Sequence, residues 1–230
     1  MADHQKIRSN AIASNNRGVK LLKAGDLTGA ICTLAQGLDS MKCIMEEPGF
    51  EGETTDSGDD MDVEEEPSLS FMETCCDTSV SPCHPQPDEP SYVFCSPIEL
   101  KTNTTIPSLK ISLFIIFNLG LTHHLNGIRT SDREQLEKAL RLYECVYRIS
   151  HEEDVDLSVL HAMALTNNLG HVHLILKDTH KSQKCFEQLL ATLIYFVEVS
   201  DGNTKEIESL KGFFVNATNL SMVKQSAAAA

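Results

Sequence analysis

Residues 168–186 read NLGHVHLILKDTHKSQKCF, and residues 16–34 read NRGVKLLKAGDLTGAICTL. Laid over each other, the two stretches share one frame. Asn168 and Gly170 fall on Asn16 and Gly18, Lys177-Asp178 on Gly25-Asp26, Ser182 on Ala30, and Phe186 on Leu34. A third copy, Asn118-Leu119-Gly120, has the same later parts in Ala139 and Tyr143, displaced by seven extra residues around Asn126–Asp132. The spacing has a packing reason. A small residue in each of two helices lets the backbones approach, and a bulky side chain four positions on fills the space beside the crossing. A period of this kind predicts stacked helix pairs.

The rest of the chain extends that pattern. Gly25-Asp26 is a helix stop followed by an N-cap, dividing a helix that ends near Ala24 from one running from Leu27 to about Met45. Ser108–Gly127 is apolar on nearly every face, as a helix held between other helices is. Ser131 with Glu134 is expected to form a capping box for a helix reaching about Ile149. Val155–Leu176 follows, and Asp178 caps Thr179–Val199, whose Ser182, Phe186, Leu189, Leu190, Leu193 and Val197 recur on one face. Lys205–Met222 is expected as a final capping helix.

All eight prolines lie between Pro48 and Pro107. Of the 33 acidic residues, 16 lie between Cys43 and Leu100, where there is no Lys or Arg. Residues 46–90 are too polar to offset their ordering entropy and are expected to be disordered or loosely attached. Tyr92-Val93-Phe94 and Pro97-Ile98-Glu99-Leu100 read as short extended pieces, a small β-hairpin leading into the next helix. The expected organisation is a first helix pair in 1–45, an acidic Pro-rich linker in 46–107, two further pairs and a capping helix in 108–222, and a tail in 223–230.

The repeat resembles the tetratricopeptide repeat. Gly18, Gly120 and Gly170 match its first-helix glycine, Ala30, Ala139 and Ser182 its second small residue, and Leu34, Tyr143 and Phe186 its aromatic. Its usual tryptophan is absent from all three pairs. The FNLGLTHHL stretch, the NNLG stretch with CFEQLL after it, the GFF-x-N segment and the alanine end also resemble a group of algal tetratricopeptide-like proteins. The resemblance implies an all-α right-handed superhelix of about three antiparallel helix pairs plus a C-terminal helix. A generic helical bundle is the other reading.

A net charge of −14 argues against nucleic acid and against an anionic membrane surface as partners. The apolar run Ile111–Phe117 is about half a membrane span. No secretory signal is visible at the start, so an intracellular, cytoplasmic protein with reduced thiols is expected, and the three glycosylation-type triplets from Asn103, Asn216 and Asn219 are expected to be unused. No P-loop, nucleophile elbow, dinucleotide fingerprint or HExxH motif occurs, so neither catalysis nor a cofactor is expected. His123-His124 and His171-x-His173 sit at helical spacings that do not converge. Cys75-Cys76 with Cys83-His84 has poor chelate geometry, so no metal is expected. Ser57, with acid on both sides, suits an acid-directed kinase, although a passive solvated linker is the simpler reading.

Asn16, Asn118 and Asn168 recur two positions before the glycine. The resemblance places first helices on the concave face, where an Asn amide both donates to and accepts from an extended backbone. Asn15, Asn16, Asn118, Asn167, Asn168 and His171 are thus candidate contacts to a partner peptide, with no Lys/Arg set for a terminal carboxylate. The alternative is that the asparagines bond within the repeat and hold neighbouring helices in register. The expected function is a protein-binding adaptor, with an auxiliary subunit or assembly factor as the second reading and a His/Cys metal protein a distant third.

Overall fold

The computed structural model describes residues 2–45, 91–101, 106–199 and 210–218. It is all-helical, with three antiparallel helix pairs and a short C-terminal helix. The pairs are α1 (Ala2–Lys23) with α2 (Leu27–Met45), α3 (Ser108–Thr130) with α4 (Arg133–Glu152), and α5 (Val159–Ile175) with α6 (Thr179–Val199). A helix over residues 211–218, α7, follows. Each pair packs on itself, α2 and α4 pass the stack to α3 and α5, and the odd-numbered helices are neighbours along one side.

The three turns within the pairs share one construction. A residue in the left-handed region ends the first helix, namely Gly25 (φ 81°), Ser131 (φ 53°) or Lys177 (φ 68°). The next residue, an Asp each time, sends its N–H back five residues, to Leu21, Gly127 or His173, which closes the open carbonyl end of the helix. The same Asp then caps the following helix. Its carboxylate accepts from the N–H of Gly29 at 2.9 Å, Glu134 at 2.8 Å and Lys181 at 3.2 Å. The capping box expected from Ser131 is therefore not formed. Ser131 is spent on the positive-φ turn, and Asp132 is the cap.

The glycine register is built as spacing requires. A Cβ on Gly18 would lie 2.6 Å from Leu34, one on Gly120 3.0 Å from Tyr143, and one on Gly170 2.7 Å from Phe186. Ala30, Ala139 and Ser182 are buried beside them. The seven extra residues of the middle pair do not break it. They lengthen α3 and α4 beyond their crossing, where Gly127 meets Leu136 closely enough that a Cβ would sit 3.0 Å from its backbone nitrogen.

By length and composition α3 is the one described helix that would suffice to cross a membrane, but its apolar faces are buried inside the stack. Residues 46–90, with the Cys75-Cys76/Cys83-His84 group and Ser57, lie outside the described residues, as do Asn103 and Asn219. Among the described residues there is no strand, so the expected hairpin is absent. Residues 91–100 form a single extended segment along the odd-numbered helices. Phe94, Ile98 and Leu100 belong to the main hydrophobic core.

Candidate functional site

The backbone of the segment is held by asparagine side chains rather than by a neighbouring strand. Asn16 in α1 accepts from the N–H of Leu100 at 2.9 Å and donates to its carbonyl at 2.7 Å. Asn118 in α3 does the same to Ile98, both bonds at 2.8 Å. Asn168 in α5 holds Phe94 at 2.9 and 3.0 Å. Asn216 in α7 holds Tyr92 at 2.8 and 2.6 Å. A carboxamide is the smallest side chain with a donor and an acceptor side by side, so it can replace the missing strand partner of one residue. Each of these four asparagines therefore takes one residue, and the residues taken lie on the face that turns toward the helices.

The remaining two asparagines make the site a duplication. Asn15 donates to the Ile98 carbonyl at 3.0 Å and to Asn16 Oδ1 at 3.1 Å, and accepts from Asn118 at 2.8 Å. Asn167 donates to the Tyr92 carbonyl at 3.2 Å and to Asn168 Oδ1 at 3.1 Å, and accepts from Asn216 at 2.7 Å. The Asn-Asn helix and the helix after it thus form a three-amide clamp, first on Ile98 and Leu100, then on Tyr92 and Phe94. Ser96 lies between the two clamps.

A row of polar groups buried behind the second clamp orients it. Asn168 Nδ2 also donates to the Tyr143 hydroxyl at 3.2 Å, which lies 3.4 Å from His124 Nδ1. His124 Nε2 is 3.0 Å from His171 Nδ1, and His171 Nε2 is 3.1 Å from Ser91 Oγ. The Tyr143 hydroxyl accepts from Asn168 and still has a proton and a second lone pair for His124, so the row runs in either of two concerted directions, with both imidazole hydrogens on Nε2 or both on Nδ1. Both imidazoles are neutral, because burial lowers His124 well below the usual histidine value, with His171 adding to it, and pushes His171 down to about 4. Burial likewise keeps the Tyr143 phenol protonated.

All six residues singled out from the sequence line this groove. Five are buried and Asn16 is half-buried. The asparagines also bond one another across helices, so backbone contact and inter-helix registry coexist in the same amides. Asn216, Tyr143 and His124 were not anticipated as site residues. Asn216 is read from the sequence as a glycosylation triplet and as the end of the GFF-x-N segment, and its membership is visible only once α7 is placed. The other histidines turn elsewhere, His123 to Gln135 at 2.7 Å and His173 toward Asp178 at 3.9 Å. Among the described residues no three His, Cys, Asp or Glu side chains converge as a metal set. Cys185 is pushed up to about 11 by burial, away from the reactive thiolate.

No protein-family model matches the chain, and neither a curated protein nor a solved structure matches it.

Proposed function

We propose that the chain is a non-catalytic adaptor of the tetratricopeptide type whose concave face holds an extended apolar peptide of a partner protein by its backbone. One observation carries this reading: four asparagines on four successive odd-numbered helices each hold both backbone groups of one residue of an extended segment. Backbone capture of this kind is the chemistry of peptide recognition, with side-chain pockets adding selectivity. Residues 91–100 are the occupant here and stand in for such a ligand.

The Ser91–His171–His124 row has the outline of a nucleophile, a base and an orienting group. Behind His171 stands a second buried neutral imidazole rather than a carboxylate, so nothing there would stabilise the imidazolium that a general base becomes. This supports the non-catalytic reading. The acidic charge makes nucleic acid and anionic membranes poor partners. A second reading, an auxiliary subunit of a larger complex, has its own support in Ile194 and Tyr195 of α6 and Val215 of α7, which are exposed at the end of the stack.

The test supplies the occupant from outside. In the full chain, residues 91–100 are replaced by Gly and Ser, and a labelled peptide spanning residues 90–101 is titrated in. Saturable micromolar binding is expected, with loss on Asn168→Ala. If the altered chain is unfolded alone, recovery of helical signal on adding the peptide reads the same contact. A folded chain that does not bind, or an unfolded one that the peptide does not restore, overturns the proposal.

A further inference from the structure

The two clamps set a register, and the pockets beside them set residue types. Tyr92 lies against Gly212 so closely that a Cβ there would fall 2.4 Å from the ring, and Phe213 meets it edge-on at 5.5 Å. Phe94 stacks on Phe213 at 5.7 Å and tilts against Phe117 at 6.5 Å. Ile98 borders a small apolar cavity shared with Leu113, Phe114 and Leu165. Leu100 is buried at the far end, and Glu99 beside it points outward to Lys23 at 2.9 Å. Cys95 is exposed, and Pro97 falls where no clamp needs an N–H.

We infer that the partner's segment is an extended nonapeptide with aromatic residues at positions one and three and aliphatic residues at seven and nine, and that residues 92–100 are its tethered competitor. This rests on the adaptor reading and adds to it both the ligand's pattern and the means of control. Proline is excluded at the four clamped positions, since each clamp uses an N–H, and tolerated at position six, where Pro97 stands. Position eight is exposed, with acid favoured there by Lys23.

Competition follows from connectivity. Leu100 is joined to the start of α3 by only seven residues, 101–107. A tether this short holds the segment at an effective concentration of order millimolar. An outside peptide making the same contacts is therefore kept out until the inner segment is weakened or the ligand fits better.

The experiment titrates the labelled 90–101 peptide against the full parent chain and two full-length variants with a weakened inner segment, Phe94→Ser/Ile98→Ser and the milder Leu100→Ala. At least about tenfold tighter binding to a folded variant than to the parent is expected. Equal binding to parent and variants overturns the competition and leaves the adaptor reading standing. Absence of binding to a folded variant overturns both. The register is checked with altered peptides: proline in place of Phe94 is expected to abolish binding, and alanine in place of the exposed Glu99 to change it little. A peptide with proline at the Phe94 position that binds like the parent peptide refutes the pattern.

Discussion

Asn118 donates to Asn15 at 2.8 Å, across two helices that are separated in the chain by the whole acidic stretch. The bond fixes which way the Asn118 amide faces, and so which of its atoms meets Ile98. Asn118→Ala would leave the Ile98 N–H and the Asn15 oxygen without their partners in a buried place, while the Ile98 carbonyl keeps Asn15. The expected loss is about 2–3 kcal/mol, a fall of roughly 4–12 °C in melting temperature for a chain of this size. Asn16→Ala, at a half-buried position, is expected to cost less than half as much. Thermal melts of the two variants check the order, and equal losses would mean that the buried amide is not oriented as described.

The helix crossings make a second prediction. Gly170→Leu must push Phe186 aside, and overpacking of this kind costs about 1–3 kcal/mol. Gly170→Ala already meets the ring, at 2.7 Å. Adding Phe186→Leu to Gly170→Ala is expected to return part of the loss, so the double variant is more stable than the two single losses added together imply. Simple additivity in denaturant unfolding would contradict the contact.

Left-handed residues at the turns offer gains instead. Lys177 and Ser131 hold positive φ without being glycine, which costs a non-glycine residue on the order of 1 kcal/mol. Lys177→Gly is expected to stabilise by about 0.5–1 kcal/mol. Gly25→Ala, at φ 81° with open space around it, is expected to destabilise by a similar amount through backbone strain alone. A lowered urea midpoint for Lys177→Gly would show that its side chain matters more than its backbone.

Much of the helical stack was legible because its signals are local. The sixteen-residue offset from Gly18 to Leu34, repeated from Gly170 to Phe186, reports a crossing formed within one pair. The Ser131 turn was misread because serine is a common cap and an unusual left-handed residue, and the choice between them depends on where α3 ends. The segment was misread for a different reason. Its alternation of apolar residues was visible, and so were the asparagines, but nothing local links Tyr92 to Asn216 or Phe94 to Asn168. Those pairings depend on the path of the chain through the stack, so the extended pieces were given to each other as a hairpin.

Acid is expected to loosen the second clamp. His171 has its folded value lowered to about 4 against an ordinary 6.5, and His124 is lowered well below 6.5. Between these limits the unfolded chain takes up protons that the folded chain refuses, so stability falls as pH falls from 6.5 toward 4 and is fully present above 6.5. For His171 alone the loss is about 2 kcal/mol by pH 5. Carboxylates contribute near the bottom of this window, so the comparison is between parent and His171→Gln, each unfolded in urea from pH 7.5 to 5. The variant is expected to show the shallower slope. Parallel slopes would remove His171 from the account.

The acidic stretch and the clamped segment are adjacent in sequence and are expected to respond in opposite ways to replacement. Residues 46–90 can be exchanged for a short Gly/Ser tether with little change in melting temperature, because their composition supports no core. Replacing 91–100 by the same kind of sequence removes Phe94, Ile98 and Leu100, each almost wholly buried. Burying such side chains is worth about 1.5–3 kcal/mol apiece, and the clamps would keep only a backbone to hold. A loss on the order of 5 kcal/mol is therefore expected, a large fraction of the stability of an ordinary domain. Circular dichroism melts of both replacements, with helical content compared per residue retained, decide the matter. A 46–90 replacement that melts far below the parent would show that the acidic stretch packs on the helices. A 91–100 replacement that melts like the parent would show that the groove stands without its occupant, and the asparagine rows would then hold the helices in register through their bonds to one another alone.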